Sequence, residues 1–172
     1  SLKLLDNYLQ LGLDWLWIPG IVFAGLGAVY TAFLFNQARA RDLWQTPIVS
    51  AIHMLVHAVM AGSIVMMVIS PDTIEWMAKS LFCGIVLSMV IIAKEILLPH
   101  DTKDTRKAIQ LMTKGYYSKH FWSGVMIGYI IPLIILLTLS RDWFFIAGGF
   151  VLIGIFLTEF VRIRVPQLIP LS

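Results

Sequence analysis

The chain has 172 residues, of which 59% are hydrophobic and 13% are charged, and its mean hydropathy is +0.84. A soluble domain is usually nearer half apolar and a quarter charged, so this composition excludes an ordinary water-soluble domain and indicates a protein of the lipid bilayer. The net charge of +3 does not indicate nucleic-acid binding, because the basic residues stand between apolar runs, and the single cysteine, Cys83, excludes a disulfide framework or a bound iron–sulfur cluster.

Five long apolar runs predict five transmembrane helices, because about 20 apolar residues are needed to cross the hydrocarbon core. The expected spans are approximately 15–35, 47–70, 76–98, 121–139 and 143–161. The first contains Pro19, Gly20, Gly25 and Gly27, and small residues allow helices to approach closely in lipid. We expect no signal peptide, since the start of the chain has no short apolar stretch followed by a small-residue cleavage site.

The longest connection, 99–120, is predicted to be a cytoplasmic loop that contains a short amphipathic helix. Asp101 or Thr102 is a suitable N-cap for this helix, and Gly115 is a suitable C′ residue. Its apolar residues are expected to lie in the headgroup plane: Ala108, Ile109, Leu111 and Met112. A solvated loop without a helix is the alternative.

Lysine and arginine residues are distributed unevenly between the two ends of the predicted spans. Loop 36–46 has two, loop 99–120 has five, and the tail that begins at Arg162 has two. The opposite side has Lys3 and Arg141, with Lys79 just inside the third span. Cytoplasmic loops are enriched in these residues, so we expect the N-terminus outside and the C-terminus in the cytoplasm.

Few ionisable side chains lie within the predicted spans: His53, His57, Lys94, Glu95 and Glu159. Such groups are costly in a bilayer unless they are paired or solvated, so each is a candidate functional residue. The helical rise places His53, Glu95 and Glu159 at about one depth, with His57 deeper. Because imidazole and carboxylate groups can exchange protons, we predict a proton path through His53, His57, Glu95 and Glu159.

A purely structural role for these groups is the alternative. Glu159 would then pair with Arg162, Lys94 would reach the membrane surface, and the histidines would bind backbone carbonyls of a neighbouring helix. Two histidines one turn apart on one helix cannot ligate both faces of a haem iron, so haem is not expected. Tyr30 and Tyr129 are the tyrosines well inside spans, and a phenol can bind a quinone carbonyl or simply contact another helix.

Three stretches of the chain resemble one known family. They are GAVYTAFLFNQARARDLWQTP at 27–47, PHDTKDTRKAIQLMTKGYYSKHFW at 99–122 and FVRIRVPQLIPLS at 160–172. In order and spacing they resemble the polysulfide reductase membrane subunit family, also called NrfD-like, over most of the chain. The resemblance implies a membrane anchor that passes electrons between the quinone pool and an iron–sulfur electron-transfer subunit, which often serves a molybdopterin catalytic subunit.

This resemblance also implies a location, a fold and site residues. The anchor is a non-catalytic or quinone-reactive subunit in the cytoplasmic (inner) membrane of a bacterium or archaeon. The all-α chain looks like the later part of a larger protein, in which the first span completes a preceding bundle and the other four form their own. Tyr30 is the implied contact for menaquinone or ubiquinone, and we add His57 as a second quinone-binding residue. No haem, iron–sulfur cluster or metal ion is expected on this chain.

Two other functions remain open at this point. A proton- or solute-translocating subunit without redox contact would be expected to show inverted repeats, and no convincing repeat is found between the halves of the sequence. A cytochrome b-type subunit is the other alternative.

Overall fold

The computed structural model describes residues 17–36, 47–97 and 103–168 of the chain. All regular structure in these ranges is helical. The helices are α1 (Trp17–Asn36), α2 (Pro47–Ile69), α3 (Ile74–Leu97), α4 (Lys103–Thr113), α5 (Ser118–Thr138) and α6 (Phe144–Arg164). One turn of π-helix, Met126–Ile130, lies within α5.

Four of the described helices are long and apolar enough to cross a bilayer. The spanning stretches are Val49–Ile69, Pro71–Leu97, Ser118–Thr138 and Arg141–Arg164. In α1, the apolar stretch Ile18–Tyr30 is shorter. The prediction of an all-α membrane protein is therefore confirmed, and α2, α3, α5 and α6 correspond to the second to fifth predicted spans.

The spanning helices form a four-helix bundle built from two hairpins. Short turns at Pro71–Thr73 and Arg141–Trp143 make α2 antiparallel to α3 and α5 antiparallel to α6. The two hairpins pack together around a core of fully buried side chains, which include Met60, Leu81, Ile85, Tyr129 and Val151. Helix α1 packs on the outside of α2 and exposes most of its apolar surface, as Phe23 shows with 71% exposure.

Glycines bring α5 and α6 close together in the described structure. The backbones of Gly128 and Gly154 are in contact, so that no Cβ fits at either position. The sequence led us to expect close approach at the glycines of the first span instead. Nothing in the described residues lies within 4 Å of a Cβ built at Gly20, Gly25 or Gly27, so close approach at these glycines stays a prediction.

The predicted amphipathic loop helix is present as α4, and its apolar face packs against the other helices of the protein. Ala108, Ile109 and Met112 are buried, and Ala108 and Met112 belong to the same apolar core as Val161 of α6. The helix therefore closes one end of the bundle, because contact with protein buries this face more completely than an interfacial position would. The proposed N-cap residues lie outside the described ranges. Gly115 N–H binds the Gln110 carbonyl oxygen at 2.8 Å after the helix ends.

Candidate functional site

Arg162 joins three helices at one end of the bundle. It lies in the last turn of α6 and is only 3% exposed. Its Nη2 donates to Glu95 Oε2 of α3, and its Nη1 donates to His53 Nδ1 of α2. Nη1 also lies 3.4 Å from Glu159 Oε1, one turn earlier on α6. Because a guanidinium only donates hydrogen bonds, His53 accepts at Nδ1 and carries its proton on Nε2 when the ring is neutral.

The polar contacts continue from this arginine toward the middle of the bundle. His57 lies one turn beyond His53 on α2, with the ring centroids 4.1 Å apart. His57 Nδ1 is 3.5 Å from Glu159 Oε1, and His57 Nε2 is 3.3 Å from the Tyr129 hydroxyl of α5. The same hydroxyl is 3.5 Å from Thr158 Oγ1. All four spanning helices thus contribute to one set of polar contacts.

We call this set the Arg162 cluster. Its members are His53, His57, Glu95, Tyr129, Thr158, Glu159 and Arg162. Helical spacing explains how the sequence assembles it: His53 and His57 are four residues apart on one face of α2, and Glu159 and Arg162 are three apart on α6. Polar side chains of a membrane bundle turn inward because lipid offers them no partner.

A local irregularity in α5 presents Tyr129 to the cluster. Pro132 has no N–H, and its ring would collide in a regular helix with the carbonyl group four residues earlier, at Gly128. The wider π turn Met126–Ile130 lies immediately before this proline and contains Tyr129. Turns of this kind are frequent at functional sites, because they displace a side chain from regular helical spacing.

Arg162 is the one cation of the cluster when both imidazoles are neutral, and it is shared between two carboxylates, Glu95 and Glu159. Buried charge is costly in a low-dielectric interior. Three buried atoms of the cluster lack a hydrogen-bond partner in the described structure: His53 Nε2, His57 Nδ1 and Glu159 Oε2. His57 Nδ1 and Glu159 Oε2 can each accept a hydrogen, so the cluster has acceptor atoms for one additional proton.

Three residues of the cluster resemble a metal site in their composition, but the nearby positive charge does not favour a metal ion. His53, His57 and Glu159 each offer a ligand atom, and these atoms lie within 4.8 Å of one another. Two imidazoles and a carboxylate suit a divalent transition metal. Arg162, however, already donates to His53 Nδ1 and contacts Glu159, so its positive charge opposes a second cation at this position. The expectation that this chain holds no metal ion stays a prediction.

The structure brings together every residue of the predicted proton path. His53, His57, Glu95 and Glu159 all belong to the Arg162 cluster. Tyr30, the predicted quinone contact, lies on α1 with 63% exposure, and no hydrogen bond or ring contact among the described residues joins it to the cluster. The assigned roles themselves remain predictions.

Arg162 does not begin the tail, contrary to what the count of charges predicts. Helix α6 continues to Arg164 and buries Arg162 between its partners. The spacing of Glu159 and Arg162 was the available signal, and it predicted this one ion pair as part of a structural role. The sequence does not predict that Arg162 also pairs with Glu95 and His53, or that Thr158 joins the cluster. These contacts connect distant parts of the chain.

Comparison with known proteins gives one positive finding. The model of the family described as Polysulphide reductase, NrfD matches residues 3–170. The searches of curated proteins and of solved structures gave no match.

Proposed function

The chain belongs to the polysulphide reductase, NrfD family, and we propose that it passes electrons between the quinone pool and an iron–sulfur subunit of a polysulfide reductase-like complex. Family membership and the four spanning helices support a quinone-linked membrane subunit. Iron–sulfur clusters are usually held by four cysteines, and this chain offers only Cys83. The iron–sulfur cluster is therefore assigned to a partner subunit, which in turn serves a molybdopterin catalytic subunit.

The Arg162 cluster gives this subunit a proton path. Reduction of a quinone to a quinol takes up two protons with two electrons, so a quinone-linked subunit needs groups that move protons. The observation that carries the proposal is the set of contacts from Glu159 to His57 and on to Tyr129, with Arg162 holding Glu159 beside Glu95.

Each part of this path has a defined task. Arg162 holds the two carboxylates in place and stays charged, since a guanidinium does not deprotonate in proteins. Glu159 takes up the proton, and His57 receives it at Nδ1, which lies 3.5 Å from Glu159 Oε1. The resulting imidazolium holds the proton and donates a hydrogen bond from Nε2 to the Tyr129 hydroxyl.

The path opens at one end of the bundle. The Glu159 side chain is 15% exposed, and the neighbouring Glu95, near the C-terminal end of α3 just before the connection to α4, is 19% exposed. The basic residues of loop 99–120 favour the cytoplasm for this end, with the N-terminus on the opposite side. We therefore propose proton uptake from the cytoplasm across the inner membrane of a bacterium or archaeon.

Of the two predicted quinone contacts, Tyr30 and His57, we propose Tyr30 as the residue that meets menaquinone or ubiquinone. Tyr30 has an exposed phenol on the outer surface of α1, where a lipid-soluble quinone can approach it. His57 is buried between Glu159 and Tyr129, and this position favours its proton role over direct contact with the quinone.

Copurification tests the electron-transfer part of the proposal. The protein extracted in mild detergent should retain a subunit with an iron–sulfur signal in electron paramagnetic resonance, and the complex should oxidise or reduce a quinone analogue. A preparation that stays free of iron–sulfur partners and is inactive toward quinones would contradict it.

Glu159→Gln tests the proton path. Gln keeps the shape of the side chain and leaves Arg162 paired with Glu95, so assembly should be unchanged. Loss of the proton-carrying group should slow quinone-coupled proton uptake in proteoliposomes by about a hundredfold. Glu75→Gln is the matched control, since Glu75 is exposed in the first turn of α3 and its replacement should have no effect. Equal rates in both variants would eliminate Glu159 from the path.

A further inference from the structure

We propose that the side chain of Met60 is an apolar plug that ends the polar path in the middle of the bundle, so that the Arg162 cluster exchanges protons with one side of the membrane only. This inference rests on the proton path proposed above. It concerns where that path stops and which residue stops it.

Polar side chains occur on both sides of an apolar layer in the bundle. On the side of the Arg162 cluster, Ser88 Oγ of α3 contacts Met60 Sδ at 3.6 Å. On the other side, Ser63 Oγ of α2 and Ser80 Oγ of α3 are hydrogen bonded at 2.9 Å. The side chains between them are apolar and fully buried: Met60, Leu81, Ile85 and Val151.

This layer is too thick for direct proton transfer. His57 and Ser63 are six residues apart on α2, which corresponds to about 9 Å along the helix. A hydrogen bond spans only about 3 Å. Bridging waters would need several polar partners, and the fully buried apolar side chains offer none. A proton at His57 or Tyr129 therefore meets a barrier in the direction of Ser63.

Met60 is the member of the layer that closes the path. It lies three residues beyond His57 on α2 and is 0% exposed. Gly84 of α3 provides the space for it, because a Cβ at position 84 would overlap the Met60 side chain and lie 3.1 Å from its Sδ. An unbranched methionine can fill such a gap completely. The contact with Ser88 places this side chain directly at the end of the polar residues.

The test measures passive proton flux through the reconstituted protein, with any subunits that copurify, in liposomes that contain a pH-sensitive dye. A potassium gradient with valinomycin supplies the driving force, and no quinone is added. Met60→Ser replaces the plug by a small polar group. Met67→Ser is the matched control, because Met67 is also 0% exposed on α2 but lies beyond Ser63 and leaves the Met60 layer intact.

We expect Met60→Ser to raise the flux about tenfold over the native protein, which corresponds to about 1.4 kcal/mol of barrier, while Met67→Ser leaves it unchanged. Met60→Leu keeps an apolar side chain of similar volume and should also leave it unchanged. Met60→Gln nearly preserves the volume of methionine and introduces polar atoms, so it should leak even if the serine variant does not assemble.

The outcomes separate the plug from the path. Equal flux in the Met60→Ser and Met67→Ser variants would overturn the plug, as would the absence of a leak in an assembled Met60→Gln protein. A leak in Met60→Leu as large as that in Met60→Ser would also overturn it, because packing rather than polarity would then set the barrier. A Met60→Ser leak that is abolished by Glu159→Gln supports both proposals, whereas a leak that persists in this double variant supports the plug and contradicts the path.

Discussion

Arg162 shows how a single residue keeps a permanent charge inside a membrane bundle. A lone arginine in hydrocarbon costs several kcal/mol. Here the guanidinium contacts two carboxylates and an imidazole, so that its charge is compensated within the protein. The same contacts hold the carboxylates in the protein interior, and loss of the arginine would leave both without their cation.

Replacement of this arginine by an apolar residue of similar length should therefore destabilise the fold. Arg162→Met should lower the free energy of unfolding by about 3 to 5 kcal/mol, the usual cost of breaking a buried pair. Thermal unfolding in detergent measures the change. Arg164→Met, two residues further along α6 at an exposed position, should shift stability by no more than about 0.5 kcal/mol.

A double variant gives a second measure of the interaction between Arg162 and Glu159. In Arg162→Met the added change Glu159→Gln should recover part of the lost stability, because it removes one uncompensated charge. An Arg162→Met protein as stable as Arg164→Met would show that the cluster does not hold the bundle together.

The sequence predicts some members of this cluster but not others. His53, His57, Glu95 and Glu159 stand out because ionisable residues are rare inside apolar runs, and their depth follows from helical rise. Arg162 follows an apolar run, so a count of charges assigns it to the tail. Its contacts to Glu95 and His53 bridge 67 and 109 residues of sequence, and no local pattern reports them.

At the scale of single helices, close contact between α5 and α6 sets the position of the cluster. Gly128 lies in the π turn beside Tyr129, and its backbone contacts Gly154, one turn before Thr158. The glycine contact thus fixes the distance between the helices that carry Tyr129 and Thr158. A side chain at either glycine would separate them.

Gly154→Ala should accordingly destabilise the bundle. The new methyl group meets the Gly128 backbone, which cannot move aside as a side chain can, and overpacking of this kind costs about 1 to 3 kcal/mol. Gly149→Ala on the same helix is the control, since nothing lies within 4 Å of a Cβ at that position. Thermal unfolding of the two variants in detergent gives the comparison, and equal stability would mean that the glycine contact is not required.

The positions of the helices along the chain were easier to predict than the neighbours that each helix face contacts. Long apolar runs identify α2, α3, α5 and α6, and amphipathic spacing identifies α4. Hydropathy does not distinguish lipid from protein as the neighbour of an apolar face, so the burial of Ala108 and Met112 against the bundle was not predicted. The π turn was also missed, although Pro132 marks the place where a regular helix is disturbed.

At the scale of the whole molecule, the bundle is polar at one end and apolar in the middle. The Arg162 cluster lies toward the ends of α3 and α6 that α4 covers, and the Met60 layer separates it from Ser63 and Ser80. A subunit built in this way can take up a proton from one side as electrons pass to a quinone without short-circuiting the membrane. The asymmetry of the bundle is thus as important to the proposed function as the cluster itself.

The most direct test of this account is infrared difference spectroscopy of the intact complex as its quinone is reduced. The native protein should show a band of a protonated carboxyl group that changes with quinone reduction, and the same band should remain in Glu75→Gln and disappear in Glu159→Gln. An unchanged difference spectrum in Glu159→Gln would contradict the claim that the Arg162 cluster takes up a proton during electron transfer.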